Sequence, residues 1–384
     1  MTRPLLLGLV ADDLTGAADS AAGLAEQGWR AVLLLRPGSG AALAREDLDP
    51  ATPTVLALTT RSRALPDDDA AQATRLAVEA VSAAGVQRLF LKIDSTVRGS
   101  VAAQVEGALL GWQAAHPPVS AAICPAFPEL GRTVERGVVK VHGVPAEDTA
   151  AGTDPVTPLP TSDLTRLFPA AVLGDVSHLK AHRQVLLDAS DEIGLDAVAR
   201  HLGAADPGVV MVGSGGLAAA LGRCWSTAPR RPVVGTSGGR SLVAVSSLHP
   251  VSAGQLAHLQ ARLGPGTADV LTSAGDRATS PEQAADTLAR RVTAAMADHA
   301  YRALVLVGGD GAAAVLDRLG ASRVVIDGTV LGGCPTGVIH GGTADGVRLV
   351  TKSGGFGAPA ALAAVVDQLA AHPGPTLPQP TSPP

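Results

Sequence analysis

The sequence predicts an α/β protein of two domains, each with a mostly parallel sheet flanked by helices. Three observations predict it. Over the first 225 or so of its 384 residues, short apolar runs alternate with Ala-rich stretches of helical period. The segment Ser226–Arg240 then breaks the pattern with Pro, Gly, Ser and Arg. A second series of apolar runs and helical stretches follows, closing in PGPTLPQPTSPP. The expected division is a first domain over 1–228, a linker over 229–241, a second domain over 242–371 and a disordered Pro-rich tail over 372–384.

In the first series the expected strands are Leu5–Val10, Ala31–Leu35, Thr54–Leu58, Arg88–Ile93, Ala121–Cys124, Ala171–Leu173 and Val209–Val212. Each is a short apolar run of the kind buried on both faces of a parallel sheet. Expected helices are Ala17–Gln27, Asp67–Ala84, Val101–Ala115, Ser162–Phe168, Leu195–Leu202 and the stretch LAAALGRC. The run Asp67-Asp68-Asp69 opens its helix, where negative charge favours the dipole. In the second series the expected strands are Leu242–Val245, Asp269–Thr272, Ala303–Val307, Arg323–Asp327 and Val347–Thr351. Helices are expected at Val251–Leu263, Pro281–His299, Ala312–Leu319 and Ala358–Ala371.

Composition excludes several classes. A net charge of -5 gives no basic footprint for nucleic acid. Cys124, Cys224 and Cys334 are too widely spaced for a zinc pattern or a disulfide framework, which fits a reducing cytoplasm. The run LLLGLV is too short for a signal or a membrane span, and Asp12 interrupts it, so a soluble cytoplasmic protein without membrane partners is expected. His249 and His340 lack metal-ligand spacing. Only four lysines occur among 30 basic residues, namely Lys92, Lys140, Lys180 and Lys352. A chain that writes positive charge as arginine keeps a lysine where a compact ammonium is required. Lys92 and Lys352 both fall in dense polar and glycine-rich motifs.

The chemistry-bearing motifs follow strands. After Leu5–Val10 comes Ala11-Asp12-Asp13-Leu14-Thr15-Gly16, with Asp19 about one helical turn further on. Ligand crevices of open α/β sheets lie outside the carboxyl ends of strands. Carboxylates there can grip sugar hydroxyls, take a proton or hold a metal. After Arg88–Ile93, the residues Lys92, Asp94, Ser95, Thr96 and Arg98 converge at one strand end. They offer cations for a carboxylate and hydrogen bonds for hydroxyls. A capped turn alone would explain Asp94 or Ser95, but it needs neither the lysine nor the arginine. After Ala121–Cys124, prolines stiffen a loop carrying Phe127, Gly131 and Arg132. Arg132 suits a carboxylate or phosphate; a rigid connector with a surface arginine is the plain alternative.

Glycine-rich strand ends come next: Gly213-Ser214-Gly215-Gly216, Gly308-Gly309-Asp310-Gly311 and Lys352-Ser353-Gly354-Gly355-Phe356-Gly357. Backbone N–H groups at such helix starts suit anions. The last two, in one domain, suggest a nucleotide phosphate cradle. Tight α/β turns use glycine too. Neither a Walker A loop nor a full dinucleotide fingerprint is present, which disfavours a nicotinamide-dependent dehydrogenase.

Taken together, ADDLTGAAD, KIDSTVRGS, PAFPELGRT, the VHGVP…DP segment, GSGGLA, SSLHPVS, GGDG and TKSGGFG resemble, in order, the four-carbon acid sugar kinases, which include D-threonate, D-erythronate and 3-oxo-tetronate kinases. The resemblance runs from about Leu5 to about Val366. It implies a sugar-acid-binding first domain, an ATP-binding second domain and an active site in the cleft between them. It also implies Mg2+ with ATP, transfer of the γ-phosphoryl group to a terminal hydroxyl giving a 4-phosphate, and a homodimer. The expected sugar-acid contacts are Asp12, Asp13, Thr15, Asp19, Arg61, Lys92, Asp94, Ser95, Arg98, Phe127 and Arg132. Asp12, Asp13, Lys92 and Arg98 are the expected catalytic residues, with Asp12 or Asp13 orienting or deprotonating the hydroxyl. The expected nucleotide contacts are Ser247, Gly308, Gly309, Asp310, Gly311, Lys352, Ser353, Gly354 and Gly355. No metal ligand is assigned.

Three motifs depart from the family's pattern. Gly311 replaces a threonine, Gly355 replaces an asparagine, and Ser247-Leu248-His249-Pro250-Val251-Ser252 replaces Ser-x-Ser-Pro-x-Thr. Each alters a polar side chain near the expected ATP site while leaving backbone N–H groups. The rival readings are a catalytically weakened sugar-acid sensor of the same fold and a kinase for a different small hydroxy acid.

Overall fold

The computed structural model describes residues 5–35, 52–154, 156–226, 239–264, 266–273, 280–298 and 300–371. Most of the expected linker, and the whole Pro-rich tail, lie outside the described residues. The chain forms two compact units, one of Met1–Arg231 with Ser322–Gly328, the other of Pro232–Ala321 with Thr329–Pro384.

The first unit opens with β1 (Leu6–Ala11), α1 (Leu14–Ala25), β2 (Arg30–Leu34), β3 (Thr54–Thr59), α2 (Asp67–Ala83), β4 (Arg88–Lys92), α3 (Val101–Gln113) and β5 (Ser120–Cys124). It continues with β6 (Arg132–Glu135), β7 (Val138–Val141), β8 (Val144–Pro145), α4 (Leu164–Leu167), β9 (Val172–Gly174), β10 (Gln184–Leu187), α5 (Glu192–Gly203), β11 (Val209–Gly213) and α6 (Gly215–Trp225). The main sheet runs β2-β3-β1-β4-β11-β5-β10-β9, every neighbouring pair parallel. Helices α1 and α6 pack together, and α2 packs on α3. From β1 the chain winds toward β2 and β3, and from β4 it winds the other way toward β5. The strand order therefore reverses between β1 and β4, the switch point where open sheets leave a crevice.

Register places the site. Ala11 pairs with Thr59 and with Lys92, and Gly213 pairs with Lys92 and Cys124. The carboxyl ends of β1, β3, β4, β5 and β11 therefore lie level, and the loops that follow them emerge side by side. Apart from Leu6 at the start of β1, strands β1, β3 and β11 are buried on both faces, as their unbroken apolar runs require.

The second unit holds β12 (Ser241–Val245), α7 (Pro250–Arg262), β13 (Ala268–Thr272), α8 (Pro281–Asp298), β14 (Ala303–Val307), α9 (Gly309–Arg318), the end of β15 (Arg323–Leu331), β16 (Cys334–His340), β17 (Arg348–Lys352) and α10 (Ala361–Ala371). Its sheet runs β13-β12-β14-β17-β16, parallel except for β16 against β17. Val243, Val245, Val305 and Val307 pack with Leu259 of α7 and Leu362, Val365 and Val366 of α10. The alternate residues Leu242, Ala244, Leu304 and Leu306 are buried as well. Side chains alternate across a strand, so both faces of this sheet are covered.

Both sheets are mostly parallel, as expected, with differences at particular elements. Strand β15 was expected wholly in the second domain, yet Arg323–Ile326 pair antiparallel with β2 in the first unit. Helix α1 starts at Leu14 rather than Ala17, because Asp13 caps it by accepting the Gly16 N–H at 2.9 Å. Helix α9 likewise starts at Gly309 rather than Ala312. The helix expected over Ser162–Phe168 shrinks to Leu164–Leu167, between the Asp163 cap and Pro169. Strand β10, the antiparallel ribbon β6-β7-β8 and strand β16 were not expected. The ribbon's strands have four, four and two residues. Strand β16 carries Pro335 and Gly337, which argue against a strand when read locally.

Candidate functional site

In the first unit, four loops bring their polar residues together. Asp12 and Asp13 link β1 to α1, Asp13 with an extended backbone. Asp12 is buried, and Arg63, from the loop after β3, grips it with both edges of its fork: Nε donates to Oδ2 at 2.7 Å and Nη2 to Oδ1 at 2.9 Å. The same Nη2 lies 3.0 Å from Asp13 Oδ1. Thr60 anchors this loop by donating its N–H and hydroxyl to Ala11 O at 2.8 and 3.1 Å. Bidentate pairing of this kind fixes direction as well as charge.

Asp94, after β4, accepts from Arg98 Nε at 2.9 Å and Nη2 at 2.8 Å, and from the Thr96 hydroxyl. Arg98 Nη1 reaches Asp154 Oδ2 at 2.8 Å. Lys92 is buried and donates to Ile93 O at 2.8 Å; a Cβ at Gly16 would lie 2.8 Å from its Nζ. Glycine at 16 thus lets the ammonium reach the start of α1. Phe127 and Arg132 close their loop by paired backbone bonds of 2.7 and 3.0 Å. Arg132 Nη1 donates to Leu130 O at 2.9 Å, while its buried Nε has no partner among the described residues. Asp19 completes the group: a Cβ at Gly215 would lie 2.9 Å from its Oδ2 and 3.1 Å from the Phe127 ring.

The electrostatics separate these acids. Burial pushes Asp13 up, but the Arg63 and Lys92 charges and the Thr15 and Gly16 hydrogen bonds outweigh it and hold the carboxyl below its ordinary value. Asp94 is also opposed by burial, yet Arg63 and Arg98 hold it well below the carboxylate range. For Asp12 burial wins over Arg63, and the pKa rises. Burial lifts Asp19 to about 6, with Lys92 opposing and Asp13, Glu26 and Glu129 adding to it. Burial lowers the Arg132 guanidinium, which faces Asp94 and Arg98.

Of the residues expected to touch a sugar acid, Asp12, Asp13, Thr15, Asp19, Lys92, Asp94, Arg98, Phe127 and Arg132 are brought together, with half-buried Ser95 in the Asp94 loop. Arg61 is exposed, with a left-handed φ of 52°. The arginine that turns inward is Arg63, which the sequence reading missed; nothing in the spacing of Arg61-Ser62-Arg63 chooses between them. Asp154, in the DP segment, was missed as well. Glycines 215 and 216 serve close packing: a Cβ at either would meet the Phe127 loop, and Ser214 ties α6 to Ala126 O at 2.7 Å.

In the second unit, Val245 pairs with Val307 and Val307 with Lys352, so three strand ends are level. Gly308 takes a φ of +104° at the cap of α9, a conformation that favours glycine. A Cβ at Gly308 or Gly311 would meet the Ser246 hydroxyl, and one at Gly354 would meet that of Ser247. Gly309 opens α9 and Asp310 is exposed in its first turn. Buried Lys352 donates to Ser353 O at 2.8 Å and to Phe356 O, and burial lowers its pKa. Its ammonium therefore holds the Ser353–Phe356 turn. Ser252 donates to Gly354 O at 2.7 Å, fixing the same turn.

The sequence departures meet here in space. Ser246 fills the room a side chain at 311 would need, and His249 lies over Gly355, its Nε2 3.3 Å from where a Cβ would stand. His249 Nδ1 accepts the Val251 N–H at 3.2 Å, capping α7. Backbone N–H groups at the start of α9, with no cationic side chain in its first turn, suit phosphate oxygens.

The first unit thus gathers carboxylates and cations at level strand ends, and the second gathers glycine turns at its own. Comparison with known proteins bears on the same two parts. A family model described as a sugar-binding N-terminal domain matches residues 7–221, and one described as a nucleotide-binding C-terminal domain matches residues 267–362. The D-threonate kinase of Bordetella bronchiseptica is 38% identical, over 91% of this chain and 94% of its own. The 3-oxo-tetronate kinase of Methylobacterium radiotolerans is 28% identical, over 92% and 96%. A Bordetella bronchiseptica crystal structure, a domain-swapped dimer with bound citrate, is 35% identical, covers 94% of this chain and 98% of its own, and has a TM-score of 0.51. A Salmonella typhimurium structure at 20% identity, covering 94% and 98%, shares the fold with a TM-score of 0.74. The chain belongs to the four-carbon acid sugar kinase family.

Proposed function

We propose that this protein is an ATP-dependent kinase that phosphorylates the terminal hydroxyl of a four-carbon sugar acid, giving the 4-phosphate for carbohydrate-acid catabolism. The observation that carries the reading is the company of Lys92 and Arg132 with the carboxylates of Asp13, Asp19 and Asp94 where five strand ends lie level. Arg63 and Arg98 are largely directed at carboxylates, and this leaves Lys92 and the Arg132 edge to meet a substrate carboxylate. The kinase relatives favour turnover over the sensor reading.

In the reaction the hydroxyl oxygen bonds to the γ-phosphorus, the bond from that phosphorus to the bridging oxygen breaks, and ADP leaves with the electron pair. Positioning and charge do most of the work in such transfers. Gly308–Gly311 and the Gly354-Gly355 turn would offer N–H groups to the phosphates, and Ser247 would touch the nucleotide. The proposal requires that the bound acid and the bound nucleotide meet for transfer. Among the described residues no three His, Cys, Asp or Glu side chains group as a metal site. Mg2+ is proposed as the companion of the triphosphate, with no protein ligand assigned to it. A homodimer is proposed from the dimeric Bordetella structures. A cytoplasmic location is proposed too: no described helix is long and apolar enough to cross a membrane, and the three cysteines are free.

The test is ADP release with D-threonate, D-erythronate and 3-oxo-tetronate, with the product identified by mass and NMR. Turnover of at least one acid to its 4-phosphate is expected. Binding of an acid without ATP consumption would overturn the kinase reading in favour of a sensor.

A further inference from the structure

The carboxylates at the first unit's strand ends are not equivalent. Asp12 has both oxygens on the Arg63 fork. Asp13 accepts Gly16 N–H on Oδ1 and the Thr15 hydroxyl on Oδ2. Asp94 has both oxygens on Arg98, and Asp154 accepts Arg98 on one oxygen and the Val156 and Thr157 N–H groups on the other. A carboxylate with its lone pairs occupied is a poor proton acceptor, because protonation must first displace a donor. Asp19 alone in this group has no hydrogen bond or ion pair among the described residues. It projects from α1 toward the start of α6, where the absence of a side chain at Gly215 lets its Oδ2 and the Phe127 ring come close.

We propose that Asp19, and not Asp12 or Asp13, takes the proton from the attacking hydroxyl. The inference rests on the phosphotransferase reading above. As the oxygen bonds to the γ-phosphorus and ADP departs, the hydroxyl proton passes to the Asp19 carboxylate and then to water. Asp12, Asp13 and Asp94 keep their arginine and hydroxyl partners and orient the sugar. The charged groups facing Asp19 are Lys92 from β4, Glu129 from the loop after β5, and Asp13 and Glu26 at the ends of its own helix; α6 presents the uncharged Gly215. Burial among these groups lifts Asp19 to about 6, a value suited to a base at neutral pH.

The experiment is steady-state kinetics of the full chain from pH 5 to 9, for wild type, Asp19→Asn and Asp19→Glu, with ATP and the acid that wild type turns over. Wild-type kcat/KM for the acid should fall below an apparent pKa near 6. Asp19→Asn should lower kcat by about a hundredfold or more and abolish that limb, with either KM changed by less than about fivefold. Asp19→Glu should restore part of kcat and the limb. The proposal is overturned if wild type lacks the acidic limb, a result that needs no variant. It is also overturned if Asp19→Asn keeps kcat within threefold, or if its loss lies wholly in KM for the acid. Absence of wild-type turnover with every acid overturns the kinase reading itself, whereas turnover with an indifferent Asp19 overturns only the assignment of the base.

Discussion

The two units place polar chemistry at level strand ends in opposite ways. The first uses side chains: Asp12, Asp13 and Asp94 held by Arg63 and Arg98, with Lys92 and Arg132 beside them. The second uses backbone: Gly308–Gly311 and Gly354-Gly355 packed so closely on Ser246, Ser247 and His249 that a Cβ would collide or crowd. On the proposed function, the difference follows from what each unit would recognise. A small hydroxy acid is distinguished by the direction of a few hydrogen bonds, which needs oriented charges. Phosphate oxygens are alike and negative, and N–H groups at a helix start meet them without a side chain.

The sharpest way to break this comparison is to remove Arg63. Arg63→Ala leaves Asp12 buried and unpaired, and should destabilise the fold by about 2–3 kcal/mol after allowance for Arg63's partial exposure. Arg61→Ala, at an exposed position, should shift thermal unfolding far less. Equal losses in the two variants would deny Arg63 its place.

The corresponding break in the second unit is Gly354→Ala, whose methyl would press on Ser247. KM for ATP should rise about tenfold or more, with affinity for the acid unchanged by calorimetry. Gly311→Thr should do the same by displacing Ser246, and Ser246→Gly/Gly311→Thr should recover part of the loss. Additive effects in that cycle would show that the two positions are not coupled.

Titration sharpens the comparison within the first unit. The folded pKa of Asp19 lies above its ordinary 3.8, at about 6, so folding takes up a proton between those values. That contribution is full below about pH 4 and is lost as pH rises through about 6. Asp19→Asn should therefore be more stable than wild type at pH 8, by at most about 2 kcal/mol after solvent screening, and should lose the advantage at pH 4. Asp94 has the opposite sign. Its folded pKa is depressed, so its pairing with Arg98 stabilises above the ordinary carboxylate value and is lost as pH falls below it. The smallest expected effect is His249→Ala, which removes the α7 cap and should cost about 0.5–1 kcal/mol in thermal or urea unfolding.

What could be read from sequence follows the reach of each interaction. Asp12, Asp13, Lys92, Asp94 and Arg132 were legible because apolar runs announce where strands end, and the site lies there. Arg63 was not, since choosing it over Arg61 depends on a left-handed backbone turn that no pattern announces. The departures at Gly311 and Gly355 looked like losses along the chain. In space each is met by Ser246 or His249, a compensation between segments more than 60 residues apart in sequence. The expected helix starts at Ala17 and Ala312 were late because Asp13 and Gly308 begin helices through glycine-rich turns of poor helical propensity. Strand β16 was hidden by Pro335 and Gly337, and its pairing with β17 supplies what local preference lacks.

The central claim is the division of labour: charged side chains of the first unit hold the acid, and glycine turns of the second hold the nucleotide. Isothermal titration of D-threonate and, separately, of ATP into wild type and Lys92→Met/Arg132→Met tests it most directly. The account predicts that the double variant loses binding of the acid by about a hundredfold while its affinity for ATP stays within about threefold of wild type. Wild-type affinity for the acid, or an equal loss for both ligands, would contradict it.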